Sequence, residues 1–209
     1  MKKTILVLCE TFFCIAAVSA RPPLPDSTSY FPLIPGSYWV HQDSVFNPAD
    51  AEDIGTSSKT KDSIVNRIIC DSGMIVNALH ISYTDGKRKA PIQIQYFCDT
   101  LGYVFERVVK KNEAPKWDKP QYKVNPQPGD TCYLANQPIV YKKDTINTWF
   151  FAEPISEKLR QSLGRDFFAK GIGFIGSPGS GFSTNLIEYR IGNGPVIKKH
   201  WLMEAPKGK

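Results

Sequence analysis

The sequence predicts a mainly β protein: an antiparallel meander forming a curved sheet or incomplete barrel, with one short helix. Three observations carry that expectation. Aromatic residues make up 12% of the chain, and 15 Gly with 16 Pro supply turn residues throughout, a composition suited to short strands joined by tight turns. Four apolar-rich runs, at 63–70, 74–83, 90–98 and 103–110, are separated by Asp/Gly turns too short for a crossover, so successive runs should pair antiparallel. In the third run Ile92, Ile94 and Tyr96 alternate with Gln93 and Gln95, the period of a strand buried on one face.

The elements can be justified in chain order. Residues 1–20 read as a signal peptide: Lys2 and Lys3 give a basic start, Ile5 to Val18 an apolar stretch, and Ala20 a small residue at the cleavage site. A spanning helix needs about 20 apolar residues, and this stretch is shorter and contains Glu10. Lipidation at Cys9 or Cys14 is disfavoured because Leu8 and Phe13, rather than small residues, precede them. The exported product is therefore expected to begin at or near Arg21. Intact mass checks this: retention of Met1, or a diacylglycerol on Cys14, contradicts it.

Residues 21–30, rich in Pro and polar residues, form a flexible leader. The remaining 31–209 are read as a single β-rich domain, divisible into two packed halves, 31–111 and 130–209, joined by a Pro-rich connector at 112–129. Phe31 to Gly36 is apolar but broken by Pro32 and Pro35, so it should be an extended arm tucking Phe31 and Leu33 under the first strand. That strand is expected from Ser37 to Phe46, followed by a loop from Asn47 to Ser58 and then the meander. The second half offers strands at 131–134, 139–143, 146–152, 167–175, 185–191 and 195–203. Between them Ile155, Leu159 and Leu163 recur every fourth residue, which predicts a helix over 156–163, with Pro154 and Gly164 at its ends.

Chemistry is harder to find than architecture. The net charge of +6 is spread over small Lys clusters at expected turns and strand ends, which reads as a solvated surface guarding sheet edges. No nucleic-acid partner and no transmembrane segment in the mature chain are expected. Export leaves Cys70, Cys98 and Cys132, without metal-ligand spacing. A bridge between Cys70 and Cys98 would be the pairing to expect, since both precede turns at one end of the sheet. Strands one and three of a meander lie about 9.6 Å apart, however, and bridged Cα atoms need to be within about 7 Å. Three thiols packed as small apolar residues are the alternative.

Gly171, Gly173 and Gly176 satisfy the letters of a dinucleotide fingerprint, but Ser177-Pro178-Gly179 cannot open the required helix, so they read as strand glycines. His41, His80 and His200 fall in separate strands. Asp43, Glu106, Asp130 and Glu188 are scattered, and no nucleophile elbow is present. No catalytic residue, metal ligand or cofactor follows from these patterns. Trp117, in the connector, is the candidate for an exposed ligand-binding ring, whereas Trp39, Trp149 and Trp201 suit a core.

Phe31-Pro32-Leu33 with Gly36-Ser37-Tyr38-Trp39-Val40, and Ala169-Lys170-Gly171-Ile172-Gly173-Phe174 with Leu186 to Tyr189, resemble a loose group of uncharacterised exported or lipid-anchored β-rich proteins of Gram-negative bacteria. The resemblance implies export and β architecture and no particular activity. The expectation is thus an exported cell-envelope protein, periplasmic, on the outer surface or secreted. It would act as a non-catalytic binding or structural module for a glycan, a lipid or an envelope protein. The alternative is a secreted hydrolase of an envelope or extracellular polymer, which convergent carboxylates in a cleft would favour.

Overall fold

A computed structural model describes residues 26, 28–47, 50–134, 137–143, 150–154, 166–178 and 182–199. The first part of the chain builds β1 (Tyr38–Asn47), β2 (Asp50–Cys70), β3 (Gly73–Thr84), β4 (Lys87–Arg88), β5 (Ile92–Asp99), β6 (Tyr103–Val108) and β7 (Tyr122–Lys123). The second builds β8 (Thr131–Leu134), β9 (Gln137–Lys143), β10 (Phe150–Pro154), β11 (Asp166–Ala169), β12 (Gly173–Pro178), β13 (Phe182–Arg190) and β14 (Ile197–Lys198).

All strands join one antiparallel sheet, in the order β7-β6-β5-β3-β2-β1-β13-β12-β11-β10-β9-β8, with β4 added beside β3 and β14 beside β13. The chain therefore winds outward from β1 to β7, passes to the far edge at β8, and winds back until β13 pairs with β1. The sheet curls into a half-barrel whose two ends approach each other at β7 and β8. There Tyr133 donates its N–H to the Pro120 carbonyl at 2.8 Å, and Lys123 pairs with Asp130 at 2.8 Å.

Alternation places the core on the concave face. Met74, Val76 and Ala78 of β3 and Ile94, Tyr96 and Cys98 of β5 are buried, while the residues between them face outward. On that outer face Asn77 donates to Asn66 at 2.6 Å, Gln95 donates to Asn77 at 2.8 Å, and Arg107 donates to Gln95 through Nε at 3.0 Å. This ladder satisfies polar groups across β2, β3, β5 and β6 and sets their convex side. The Phe31–Gly36 arm packs from within: Leu33 is buried, Phe31 stacks on Tyr122 at 4.5 Å, and Gly36 N–H bonds the Ile64 carbonyl at 3.0 Å.

The structure corrects the expected fold in three places. Among the described residues the fold is all-β, not a sheet with one helix, and the segment 156–163 read as helical lies outside the described residues. The loop expected after Asn47 is strand: β2 begins at Asp50 because its backbone pairs with the far end of β1, Asn47 opposite Asp50 and Phe46 opposite Ile54. The single strand expected over 167–175 is two, since Gly171 takes a positive φ of 75° and Ile172 N–H turns back to the Ala169 carbonyl at 3.1 Å.

Cys70, Cys98 and Cys132 are free thiols. β3 runs between the strands of Cys70 and Cys98: Cys70 faces Gly73, and Cys98 faces Met74. At Gly73 the backbone of β5 lies close against β3. The φ of Gly73 is 146°, and a Cβ there would lie 2.1 Å from the Cys98 carbonyl oxygen, so the turn after Cys70 admits no side chain at this position.

Candidate functional site

Strand register decides which polar residues share the concave face. Trp39 of β1 lies opposite Asp62 of β2, and Asp62 lies opposite His80 of β3. Side chains at paired positions point to the same side of a sheet, so the inward Trp39 brings Asp62 and His80 inward with it. One step along, Tyr96 of β5 lies opposite Glu106 of β6. Five strands thus present a Trp, two carboxylates, a His and a Tyr to one interior.

The groups interact with each other. His80 Nδ1 sits 2.7 Å from Asp62 Oδ1, and its Nε2 sits 3.0 Å from the Ser82 hydroxyl. The bond to Asp62 raises the imidazole above its ordinary value, against the opposing effect of burial. Burial pushes the Glu106 carboxyl up to about 7; the nearby Asp62 charge adds to this and His80 opposes it. Burial likewise raises Asp166 to about 6, with the Ser177 hydroxyl working in the other direction. Asp43 accepts from the Thr184 hydroxyl at 2.6 Å and from the Ser58 hydroxyl at 3.3 Å.

His41 is only 6% exposed, and burial lowers its pKa, favouring the neutral ring. Its Nε2 lies 3.2 Å from the Phe174 carbonyl. A carbonyl only accepts, so Nε2 carries the proton and Nδ1 keeps a lone pair. Trp39 donates its indole N–H to the Ile172 carbonyl at 2.5 Å, just before β12 begins. Gly173 makes room for that ring: a Cβ there would lie 3.6 Å from the indole nitrogen and 3.3 Å from Pro32.

Between the arm, β1, β2, β5 and β12 these residues leave a cavity of about 250 Å³. Its rings are Phe31, Trp39, Tyr96, Tyr122 and Phe174, and Leu33 and Ile64 add aliphatic wall. His41, Asp62 and Asp166 line it as well, and Tyr96 and Tyr122 add phenolic hydroxyls. Among the described residues, no group of three His, Cys, Asp or Glu side chains is arranged to hold a metal ion.

The residues singled out in the sequence are dispersed around this cavity. Trp117 lies on the outer face, its ring 5.6 Å from Phe97 and 5.1 Å from the Arg107 guanidinium, half-buried. Asp130 holds Lys123 at the seam, and Glu188 accepts from the Tyr38 hydroxyl at 2.9 Å. Asp43 and Glu106 reach the interior, as do His41 and His80. His200, Trp149 and Trp201 lie outside the described residues. No motif in the sequence marks Asp62 or Asp166, although each stands two residues before a buried apolar residue of the same strand, Ile64 and Phe168. A carboxylate in phase with the apolar face is the sequence signal that finds both.

No family model and no curated protein match this chain. Two solved structures are similar to it. One is a protein from Bacteroides fragilis described as exported and as having a YmcC-like fold; it is 14% identical, covers 78% of this chain and 99% of its own, and gives a TM-score of 0.48. The other, from Parabacteroides distasonis, is described as a lipoprotein; it is 14% identical over the same 78% and 99%, with a TM-score of 0.42.

Proposed function

We propose that this chain is an exported, non-catalytic binding module of the cell envelope that takes a small molecule into the half-barrel. The pattern of residues 1–20 supports export. The observation that carries the binding reading is the interior cavity of about 250 Å³, walled by five aromatic rings and holding His41, Asp62 and Asp166. A mostly apolar hollow with a few convergent polar groups is the usual form of a small-ligand site. Its size admits one compact molecule rather than a polymer strand, which separates this reading from hydrolysis of an envelope polymer.

A thermal-shift screen of the purified protein against small metabolites, short lipids and mono- and disaccharides tests this. A compound present at about one hundred times its Kd should add about 2.7 kcal/mol of stability, and Ile64→Phe, which fills the cavity from a buried wall position, should abolish the shift. Shifts that survive Ile64→Phe in a folded variant, or a screen in which no compound shifts the transition, would overturn the reading.

A further inference from the structure

Resting on the reading of this cavity as a small-molecule site, we infer that its ligand is an organic cation, a protonated amine carried on a compact apolar body. The chain has 26 Lys and Arg against 20 Asp and Glu, yet no Lys or Arg lines the cavity among the described residues. Basic side chains sit on the opposite face instead. Lys61, the neighbour of Asp62, lies 4.1 Å from the centre of the Tyr38 ring, and Arg190 covers the same ring at 5.1 Å. The cavity of a basic protein thus carries two carboxyl groups and no Lys or Arg, while His80, outside the lining, bonds Asp62 at 2.7 Å.

Its polar side chains are weighted toward acceptors, with the Tyr96 and Tyr122 hydroxyls able to act either way. Asp62 and Asp166 offer carboxylate oxygens, and His41, whose Nε2–H is committed to the Phe174 carbonyl, has only a lone pair left. The Trp39 indole N–H is committed to the Ile172 carbonyl. A ligand satisfying the carboxylates and His41 brings N–H donors, and positive charge compensates buried carboxylates that are otherwise costly. The aromatic walls favour the same guest, because ring faces attract desolvated cations. They disfavour a metal ion, which would need several converging oxygen or nitrogen ligands.

The test compares three probes with one apolar body: phenethylammonium, 2-phenylethanol and phenylacetate, titrated calorimetrically into the protein at roughly pH 8, above the raised Asp166 value of about 6. Phenethylammonium should bind about tenfold or more tighter than the alcohol, with phenylacetate weakest. Asp62→Asn and Asp166→Asn should each weaken the amine about tenfold while leaving the alcohol unchanged; both are nearly isosteric, and either one that keeps the native melting transition suffices. Alcohol or acid binding as tightly as the amine would overturn the cation inference and leave the small-molecule reading standing. Failure of all three probes would overturn the cation inference as well, while the wider screen decides the small-molecule reading independently.

Discussion

Replacing Glu106 by Gln is expected to stabilise the protein at roughly pH 8.5 by up to about 3 kcal/mol and to change little at roughly pH 4. Burial, and secondarily the Asp62 charge, raise the Glu106 carboxyl from 4.5 to about 7. Between those values the folded protein holds a proton that the unfolded chain has released. Stability therefore falls as pH rises through this window: the contribution is fully present below the unfolded value and lost above the folded one. Glutamine has no proton to lose, so the variant escapes the penalty of a buried carboxylate. Asp166, raised to about 6, and His80, raised by Asp62, act in the same direction, whereas His41, lowered by burial, destabilises the fold as pH falls. The difference between variant and parent, rather than either curve alone, isolates Glu106. Urea denaturation at four or five pH values supplies it, and a difference independent of pH would show that Glu106 stays ionised in the folded protein.

The sites of these charges show what the sequence could convey. Alternation in Ile92, Ile94 and Tyr96, and the Asp/Gly turns, made the meander and its antiparallel pairing legible, because side-chain period and turn length are local properties. Register is not local. From the turn, Cys70 pairs with Gly73 and Asn66 with Asn77, but Ile64 pairs with Ala78, so one extra residue, Val65, is accommodated on β2. That bulge moves Asn66 to the outer ladder while Ile64 stays in the core, and it brings Asp62 opposite His80 rather than opposite Ile81. A one-residue slip exchanges the two faces of a strand. The ion pair at the heart of the candidate site therefore depends on an irregularity that no periodicity reveals. The return of β13 to β1 was hidden for a similar reason: residues about 150 apart in sequence, such as Tyr38 and Glu188, are brought together by the whole path of the chain. The segment from Asp50 to Ser57, rich in acidic and hydroxyl residues, reads as a loop by composition, and its pairing with β1 overrides that preference.

Trp39→Ala should cost about 3 to 5 kcal/mol, the largest loss expected from a single side chain here, and Trp39→Phe about 1 to 3 kcal/mol. The two changes remove different things. Alanine empties a nearly buried position, 9% exposed, in the core cluster containing Ile64, Leu186 and Tyr189. Phenylalanine keeps most of that apolar surface but deletes the indole N–H that reaches the Ile172 carbonyl, leaving a backbone acceptor without that partner. The bond matters beyond its own energy because of where it runs. Trp39 belongs to β1, while Ile172 belongs to the turn leading into β12, and β13 lies between them in the sheet. The indole therefore ties two non-adjacent strands across the concave face, and Gly173, lacking a Cβ beside the ring, permits the approach. Urea denaturation followed by far-UV circular dichroism ranks the variants. If Trp39→Phe were as stable as the parent, the Ile172 bond would contribute nothing net to stability. If Trp39→Ala lost under about 1 kcal/mol, the ring would have to be a removable wall of the cavity rather than a member of the core that shapes it.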